Sequence, residues 1–309
     1  MKKKRRYIAK DDVTSPTVQL ESLMATMAIE AMEKRKIVIA DVAGAYLQTV
    51  MADYVIVKVS GDSCKIMCDV NPNFRRYVRP EGRRDTLYMR LKKALYGCMY
   101  SALLWYRTFR EHLEGEGFEL NPYDQCVANK TINGHQCTIA WYVDDSKISH
   151  KDEKVIDKVI QGLESRFGKM TITKGNKHTF VGMDIEYNDD GTVSISMNDY
   201  IEECIEVFGK SFNGGATSPA KRNLFEIDEH SKKLSEKKSI LFHHIVAKLL
   251  FVSKRARLDI NLTISFLCSR VDKSTHEDWS KLERLLHYLH RTLVLKRRLG
   301  MKQGIILRN

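Results

Sequence analysis

The stretch that decides the fold is "TIAWYVDDSKIS", residues 138–149. Two short apolar runs flank the neighbouring aspartates Asp144 and Asp145, and this pattern predicts two strands joined by a tight turn. Adjacent carboxylates at such a turn repel each other unless a cation neutralises them. Because aspartate is also common in solvent-facing turns, the pair alone is compatible with a metal site and with an ordinary polar turn.

A third carboxylate lies upstream of the pair. Asp41 follows the apolar strand "IVIA" at 37–40 and directly precedes small residues in "VAGA". If both segments belong to one sheet, three carboxylates meet at its edge. Their hard oxygen atoms suit Mg²⁺, which also binds substrate phosphates. Two such ions can activate a hydroxyl and stabilise the leaving oxygen of an in-line phosphoryl transfer.

The composition is that of a globular protein with a basic excess. The 309 residues are 43% hydrophobic and 29% charged, and the formal net charge is +12 at pH 7. An excess of this size favours polyanionic partners. The longest apolar runs, such as 245–252, are short and carry a lysine, so we expect no membrane span. The seven cysteines lack paired metal-binding spacing, and we interpret them as reduced thiols of an intracellular protein.

The hydrophobic periodicity predicts an α+β protein without internal repeats. Helices are predicted at about 99–114, 155–167 and 198–208 and, beyond a linker at 211–223, through the rest of the chain. Strands are predicted around 37–39, at 53–60, in the 138–149 hairpin, and as two strands around an "NDDG" turn within 179–197.

Several blocks, in order along the chain, resemble the reverse transcriptase of copia-type LTR retrotransposons. The central blocks are "DVAGAYL" at 41–47, "LKKALYGCMYSALLWYRTFREHLEGEGF" at 91–118 and "YVDD" at 142–145. Further similar segments are "SPTVQLESLMATMA" (15–28), "NPYDQCVANK" (121–130), "FVGMDIEYNDDGTVSISMNDYIEECIEVFG" (180–209), "RARLDINLTISFLCSRV" (255–271) and "HEDWSKLERLLHYLHRTL" (276–293). The resemblance covers roughly residues 15–295.

The resemblance implies a polymerase fold and an RNA-directed DNA polymerase activity. The expected architecture is a palm with an antiparallel sheet and flanking helices, reduced fingers, and a helical thumb and connection. The expected divisions are 1–35 for the truncated fingers and basic arm, 36–197 for the palm and remaining fingers, and 198–309 for the thumb and connection. The implied partners are an RNA or DNA template with its primer, and a deoxynucleoside triphosphate.

The resemblance also implies roles for individual residues. Asp41, Asp144 and Asp145 match the three palm carboxylates that hold two Mg²⁺ ions, with Mn²⁺ as an alternative, and we expect Asp41 and Asp144 to be the main ligands. Tyr46 matches the aromatic gate that excludes a ribose 2′-hydroxyl, although a core tyrosine is the alternative. Gly97, in the "ALYG" turn, matches a position near the incoming base.

Three further residues match positions that contact the primer. Tyr142 precedes the metal pair and is a candidate to touch the primer end. Phe180 and Gly182 match the primer grip, in which backbone and apolar side chains hold the primer strand, although they could equally be plain strand residues. Several arginines are candidate phosphate contacts, although any one of them is more often simply solvated: Arg75, Arg76, Arg83, Arg84, Arg255 and Arg257.

The sequence also departs from the family pattern. The family's basic finger block is missing; Arg5, Arg6 and Lys10 of the N-terminal cluster are possible substitutes for its cations. An RNase H domain normally follows the thumb and connection in this family, and we expect this chain to lack it. The segment "GCMYSALLW", which includes the turn at Gly97, lacks the basic residues that the family usually has there. The alternative is therefore a catalytically impaired retrotransposon fragment that only binds nucleic acid. In either case we expect an intracellular location, in cytoplasmic virus-like particles or the nucleus, and leave the oligomeric state open.

Overall fold

The structure is a computed structural model that describes residues 14–51, 53–210 and 214–300. Arg5, Arg6 and Lys10 lie outside these residues. The helices are α1 (Leu20–Met32), α2 (Asp62–Val70), α3 (Ser101–Gly115), α4 (Glu153–Phe167), α5 (Asn198–Phe208), α6 (Glu236–Arg255), α7 (Asn261–Cys268) and α8 (His276–Arg291).

The strands complete a mixed fold, and the predicted α+β class is confirmed. They are β1 (Lys36–Val42), β2 (Ile56–Ser60), β3 (Arg79–Glu81), β4 (Arg84–Arg90), β5 (Glu119–Leu120), β6 (Val127–Ile132), β7 (His135–Tyr142), β8 (Asp145–His150), β9 (Met170–Lys174), β10 (Lys177–Phe180), β11 (Met183–Tyr187), β12 (Val193–Ser196) and β13 (Arg297–Leu299).

The chain divides into two compact units. Of the described residues, the first comprises those within 14–19, 40–148 and 153–172, and the second comprises those within 20–39, 149–152 and 173–300. The sheets have the strand orders β5-β6-β7-β8-β1-β9, β2-β4-β3 and β10-β11-β12-β13. The four-stranded sheet belongs to the second unit, and the three-stranded sheet belongs to the first.

An aromatic cluster forms the centre of the first unit. Trp105 and Phe109 on α3 lie 5.1 Å and 5.8 Å from Phe167 at the end of α4, measured between ring centroids. Phe109 also lies 5.4 Å from Trp141 on β7, in an edge-to-face arrangement. The side chains of Cys137 to Trp141 on β7 are all buried, as expected for a strand that is covered on both faces. The cluster therefore fixes both helices against the strand that ends at the aspartate pair.

The second unit contains a turn that the sequence did not reveal. Two strands were predicted over 179–197, but three are present, because β10 and β11 are joined by a two-residue turn at Val181 and Gly182. Both residues have positive φ, 50° and 73°, as the favoured hairpin turns require. A β-branched residue rarely adopts this conformation, so local preference gives no signal for a turn at Val181.

A short strand also lies where only helices were expected. β13 pairs with β12, with Val193 opposite Leu299. No disulfide joins any of the seven cysteines, all of which lie in the described part of the chain, and five of them are buried. Among residues 14–51, 53–210 and 214–300, none of the helices has the length and apolar character needed to span a bilayer.

A buried aspartate fixes the segment before β6 and generates a prediction. Asp124 accepts hydrogen bonds from the backbone N–H groups of Gln19, at 2.8 Å, and Cys126, at 2.9 Å. Asp124→Ala leaves both donors without this acceptor, and we expect the free energy of unfolding to fall by about 2–3 kcal/mol. Asp69→Ala is the control, since it removes only an exposed ion pair with Arg75. Urea unfolding measures both variants, and equal effects would contradict the assignment.

Candidate active site

The structure places Asp41 beside the aspartate pair. The N–H of Val42, the residue after Asp41, donates a hydrogen bond of 3.2 Å to the carbonyl of Asp144. This contact joins the end of β1 to the tip of the β7–β8 hairpin, because those strands share one sheet in which β1 neighbours β8. Two segments far apart in the sequence therefore bring their acidic side chains to the same sheet edge.

The carboxylates interact electrostatically. Burial, and then the negative charge of Asp144, raise the pKa of Asp41 above its ordinary value. Burial, followed by the charges of Asp144 and Asp41, raises the pKa of Asp145 in the same way. Both causes disfavour the ionised form. The arrangement is therefore unfavourable as three bare carboxylates and becomes favourable when a cation neutralises them.

Two tyrosines lie within the same electrostatic field. Tyr46 is in a 3₁₀ turn, Ala45–Gln48, and its ring lies 4.3 Å from that of Tyr96, between centroids. Burial and the charge of Asp144 raise the pKa of both phenols. Tyr96 is 51% exposed, and sequence reasoning missed it, although an aromatic side chain directly before the singled-out Gly97 was an available signal.

Gly97 is exposed at the edge of this region. Its φ is +88°, in the left-handed region that glycine adopts readily. A Cβ atom added there would meet no atom within 4 Å, so the space beside its backbone is open. The position accordingly lets a ligand approach the main chain.

The turn that carries Asp144 has an unusual backbone. Val143 has a φ of 59°, a left-handed conformation that costs a non-glycine residue about 1–3 kcal/mol. The buried indole of Trp105 donates a hydrogen bond of 2.6 Å from Nε1 to the carbonyl oxygen of Val143. The helix predicted at about 99–114 includes Trp105, but no role for this residue was predicted, since a contact from α3 to this turn leaves no periodic signal.

The residues matched to the primer differ in accessibility. Tyr142 is 39% exposed at the end of β7, next to the aspartate-bearing turn. Phe180 is only 1% exposed, so any contact with a primer would come from its backbone rather than its ring. Gly182 has Tyr200 against it, with the phenol oxygen 3.0 Å from where a Cβ would lie. Phe180 and Gly182 belong to the second unit, whereas the carboxylates, Tyr46 and Gly97 belong to the first.

The candidate phosphate contacts also divide into two groups. The four arginines near the three-stranded sheet are exposed: Arg75, Arg76, Arg83 and Arg84. Arg257 is 2% exposed and forms an ion pair of 2.8 Å with Asp259. The prediction for Arg257 is therefore wrong, because its guanidinium is already used inside the second unit.

The donor set fits Mg²⁺ although no complete cage is preformed. Within the described parts of the chain, no group of three or more His, Cys, Asp or Glu side chains is arranged to hold a metal ion. Mg²⁺ commonly uses one or two carboxylates together with waters and substrate phosphates, so a cage is not required. Asp41 and Asp144 supply hard oxygen atoms. Burial, and after it the charge of Asp144, raise the pKa of Asp41, and a divalent ion would favour its ionised form.

This electrostatic strain leads to a stability prediction. Because the folded-state pKa of Asp41 is raised, its ionised form destabilises the fold at neutral pH, and the penalty disappears as the pH falls below the unfolded-state pKa. Asp41→Asn should therefore raise the free energy of unfolding at neutral pH by about 0.5 kcal/mol, a small value because solvent screens the charge. Urea unfolding in EDTA at neutral and acidic pH measures this gain.

The matched control for this prediction is Asp62→Asn. Asp62 is an exposed aspartate paired with Lys65, and its neutralisation should not stabilise the protein. Added Mg²⁺ should stabilise the wild type more than Asp41→Asn. Destabilisation by Asp41→Asn in EDTA at neutral pH would contradict the prediction.

Comparison with known proteins identifies the family. The family model described as "Reverse transcriptase (RNA-dependent DNA polymerase)" matches residues 3–222. The transposon Ty5-1 protein of Saccharomyces cerevisiae is 26% identical over 223 residues, which are 68% of this chain and 68% of that protein. The transposon Ty1-ER2 Gag-Pol polyprotein of the same yeast is 24% identical over 294 residues, covering 87% of this chain. The chain spans 15% of the length of that polyprotein.

Solved structures show only distant likeness. Telomerase from Candida albicans, in complex with a fragment of telomeric RNA, has a TM-score of 0.34 and 10% identity, covering 91% of this chain and 53% of that one. Telomerase from Candida tropicalis has a TM-score of 0.28 and 15% identity, covering 58% and 41%. Likeness at this level carries no argument, so the assignment follows from the sequence matches. The resemblance to copia-type enzymes is confirmed, and the chain belongs to the reverse transcriptase (RNA-dependent DNA polymerase) family.

Proposed function

We propose that this chain is an RNA-directed DNA polymerase of a copia-type retrotransposon. The observation that carries the proposal is the hydrogen-bonded apposition of β1 and the hairpin tip, which sets Asp41 beside Asp144 in a chain of this family. In the reaction, the primer 3′-oxygen forms a bond to the α-phosphorus of a deoxynucleoside triphosphate. The bond from that phosphorus to the pyrophosphate oxygen breaks, and the 3′-hydroxyl loses its proton.

Asp41 and Asp144 are the residues that would hold two Mg²⁺ ions, with Mn²⁺ as a substitute. When bound, such ions lower the pKa of the attacking hydroxyl and neutralise charge that develops on the phosphates. Asp145 adds negative charge beside them and strengthens the attraction for cations. The raised pKa of Asp145 supports this role, since the charges of Asp144 and Asp41 contribute to it after burial, which is the larger cause.

We assign substrate selection to Tyr46, Tyr96 and the turn at Gly97. Tyr46 would pack against the deoxyribose and exclude a 2′-hydroxyl, and Tyr96 would support the ring of Tyr46 from the side. Gly97 would allow the incoming nucleotide to approach the backbone closely. Tyr142, together with the backbone of Phe180 and Gly182, would contact the primer.

Template binding is assigned to the basic surface. Phosphate contacts hold a duplex without reading its sequence, and the formal charge of +12 supplies the attraction. In this scheme 36–197 forms the palm and remaining fingers, with the thumb and connection at 198–309. We place the activity inside the cell, in virus-like particles or the nucleus.

Primer extension tests the activity. The wild-type chain should extend an oligo-dT primer on a poly-rA template with Mg²⁺, and Asp144→Asn should lower the rate by about 1000-fold, since metal-assisted charge neutralisation is worth several kcal/mol. Asp189→Asn is the matched control, because it removes the same charge from an exposed turn and should extend normally. Template binding without nucleotide addition by the wild type would favour the alternative of an impaired, nucleic-acid-binding fragment.

Sugar discrimination tests the gate. Tyr46→Ala should raise ribonucleotide incorporation relative to deoxynucleotide incorporation by about 10-fold or more, because removal of the ring opens space for the 2′-hydroxyl. Tyr46→Phe keeps the ring and should retain the discrimination of the wild type. Competition between labelled ribonucleotide and deoxynucleotide measures the ratio. An unchanged ratio in an active Tyr46→Ala enzyme would refute the gate.

A further inference from the structure

We propose that Trp105 is a positioning residue for Asp144. Its indole N–H holds the hairpin turn in the left-handed conformation that aims the Asp144 carboxylate towards Asp41. The inference rests on the proposed function, because it concerns the same site. It assigns a role to a residue on α3 that carries none of the carboxylates.

The backbone of Asp144 is held on both sides. The carbonyl before it, that of Val143, accepts from Trp105 at 2.6 Å, and its own carbonyl accepts from the N–H of Val42 at 3.2 Å. The direction of a side chain follows from the two peptide groups that flank its Cα atom. The two hydrogen bonds, from α3 and from the end of β1, therefore fix the direction in which the Cα–Cβ bond of Asp144 leaves the backbone.

The turn requires an external restraint. Val143 is β-branched and has a φ of 59°, a conformation that such side chains rarely adopt. Conformations of this kind persist only where the surroundings hold them. Rotation of the Val143–Asp144 peptide towards a common turn would break the indole hydrogen bond and redirect the carboxylate.

Trp105 is itself immobilised. Its side chain is fully buried, and its ring centroid lies 5.4 Å from Phe109 and 5.1 Å from Phe167. Because these aromatic contacts fix the ring, the indole N–H stays in place if the turn at Val143 changes conformation, and the hydrogen bond is then lost. Trp105 therefore acts as a rigid hydrogen-bond donor that holds the turn in one conformation.

A purely structural role is the competing explanation. A buried indole N–H usually finds a partner, and the hydrogen bond could serve only to satisfy it. In that case removal of the donor would lower stability without changing metal affinity. Residues that orient metal ligands differ, since their loss typically weakens metal binding by about 10- to 100-fold.

The test measures metal binding directly rather than through turnover. Mn²⁺ binding to the full chain, without nucleic acid, is followed by electron paramagnetic resonance for the wild type, Trp105→Phe and Trp141→Phe. Trp141→Phe removes the same atoms from the same aromatic cluster and leaves the Trp105–Val143 hydrogen bond in place. We expect Trp105→Phe to weaken Mn²⁺ binding by about 10-fold, and Trp141→Phe to leave it unchanged.

A second substitution tests whether the unfavourable backbone conformation of Val143 is what the indole hydrogen bond stabilises. Glycine adopts positive φ without steric penalty, so Val143→Gly removes the steric cost that the indole hydrogen bond offsets. In the Val143→Gly background, Trp105→Phe should therefore weaken Mn²⁺ binding by less than about 3-fold, and the double-mutant cycle reports the coupling. If Trp105→Phe does not fold, site-specific benzothienylalanine, which replaces the indole N–H by sulfur, removes the donor at nearly constant volume.

The outcomes separate this proposal from the proposed function. Equal Mn²⁺ affinity in Trp105→Phe and Trp141→Phe, or an equal loss in both Val143 backgrounds, would overturn the positioning role. A wild-type chain that binds Mn²⁺ but does not extend a primer would overturn the proposed function, while the cycle still decides the role of Trp105. A wild-type chain that binds no Mn²⁺ would overturn the positioning role, and one that in addition extends no primer would overturn both.

Discussion

The mutual repulsion of three carboxylates is the constraint around which the first unit is built. The pairing of β1 with β8 brings these carboxylates close together, because the hydrogen bond from Val42 to Asp144 sets Asp41 beside the hairpin tip. Burial is the larger cause and the repulsion adds to it, and together they raise the pKa of Asp41 and Asp145. An arrangement that weakens the folded state is typical of a site kept for function, where stability and activity oppose each other.

Such a site needs rigid surroundings, and the neighbouring elements supply them. β7 and β8 are buried along most of their length, and the aromatic cluster packs α3 and α4 against β7. A site held by packed helices and strands keeps its geometry better than one carried on free loops. The turn at Val143 has an unfavourable backbone conformation, and it is also the point at which a buried donor from α3 reaches the hairpin. The buried hydrogen-bond donor therefore restrains the hairpin at a residue whose backbone conformation is unfavourable.

The sequence predicts those parts of the fold that depend on local patterns. Helical spacing places α3 and α5 within about two residues of their observed ends, and the two short apolar runs around the aspartate pair identify the hairpin. Two features escaped prediction because they depend on contacts between distant segments: the ring contact of Tyr46 with Tyr96, and the hydrogen bond of Trp105 with Val143. The turn at Val181 escaped for a different reason, since valine has a local preference against the conformation that it adopts there. The roles of the individual site residues remain predictions, because geometry alone does not show what they bind.

The same electrostatics link the acidic centre to the basic surface. A polyanion drawn in by the excess of basic residues would meet three carboxylates at the sheet edge, where its phosphates would be repelled unless divalent cations intervened. Cations bound at Asp41 and Asp144 would favour the phosphates, and phosphates would in turn favour the cations, because linkage between two ligands is reciprocal. A domain that only gripped nucleic acid would gain nothing from this arrangement, since basic residues alone suffice for phosphate contacts. The acidic centre is therefore better explained by phosphate chemistry than by binding alone.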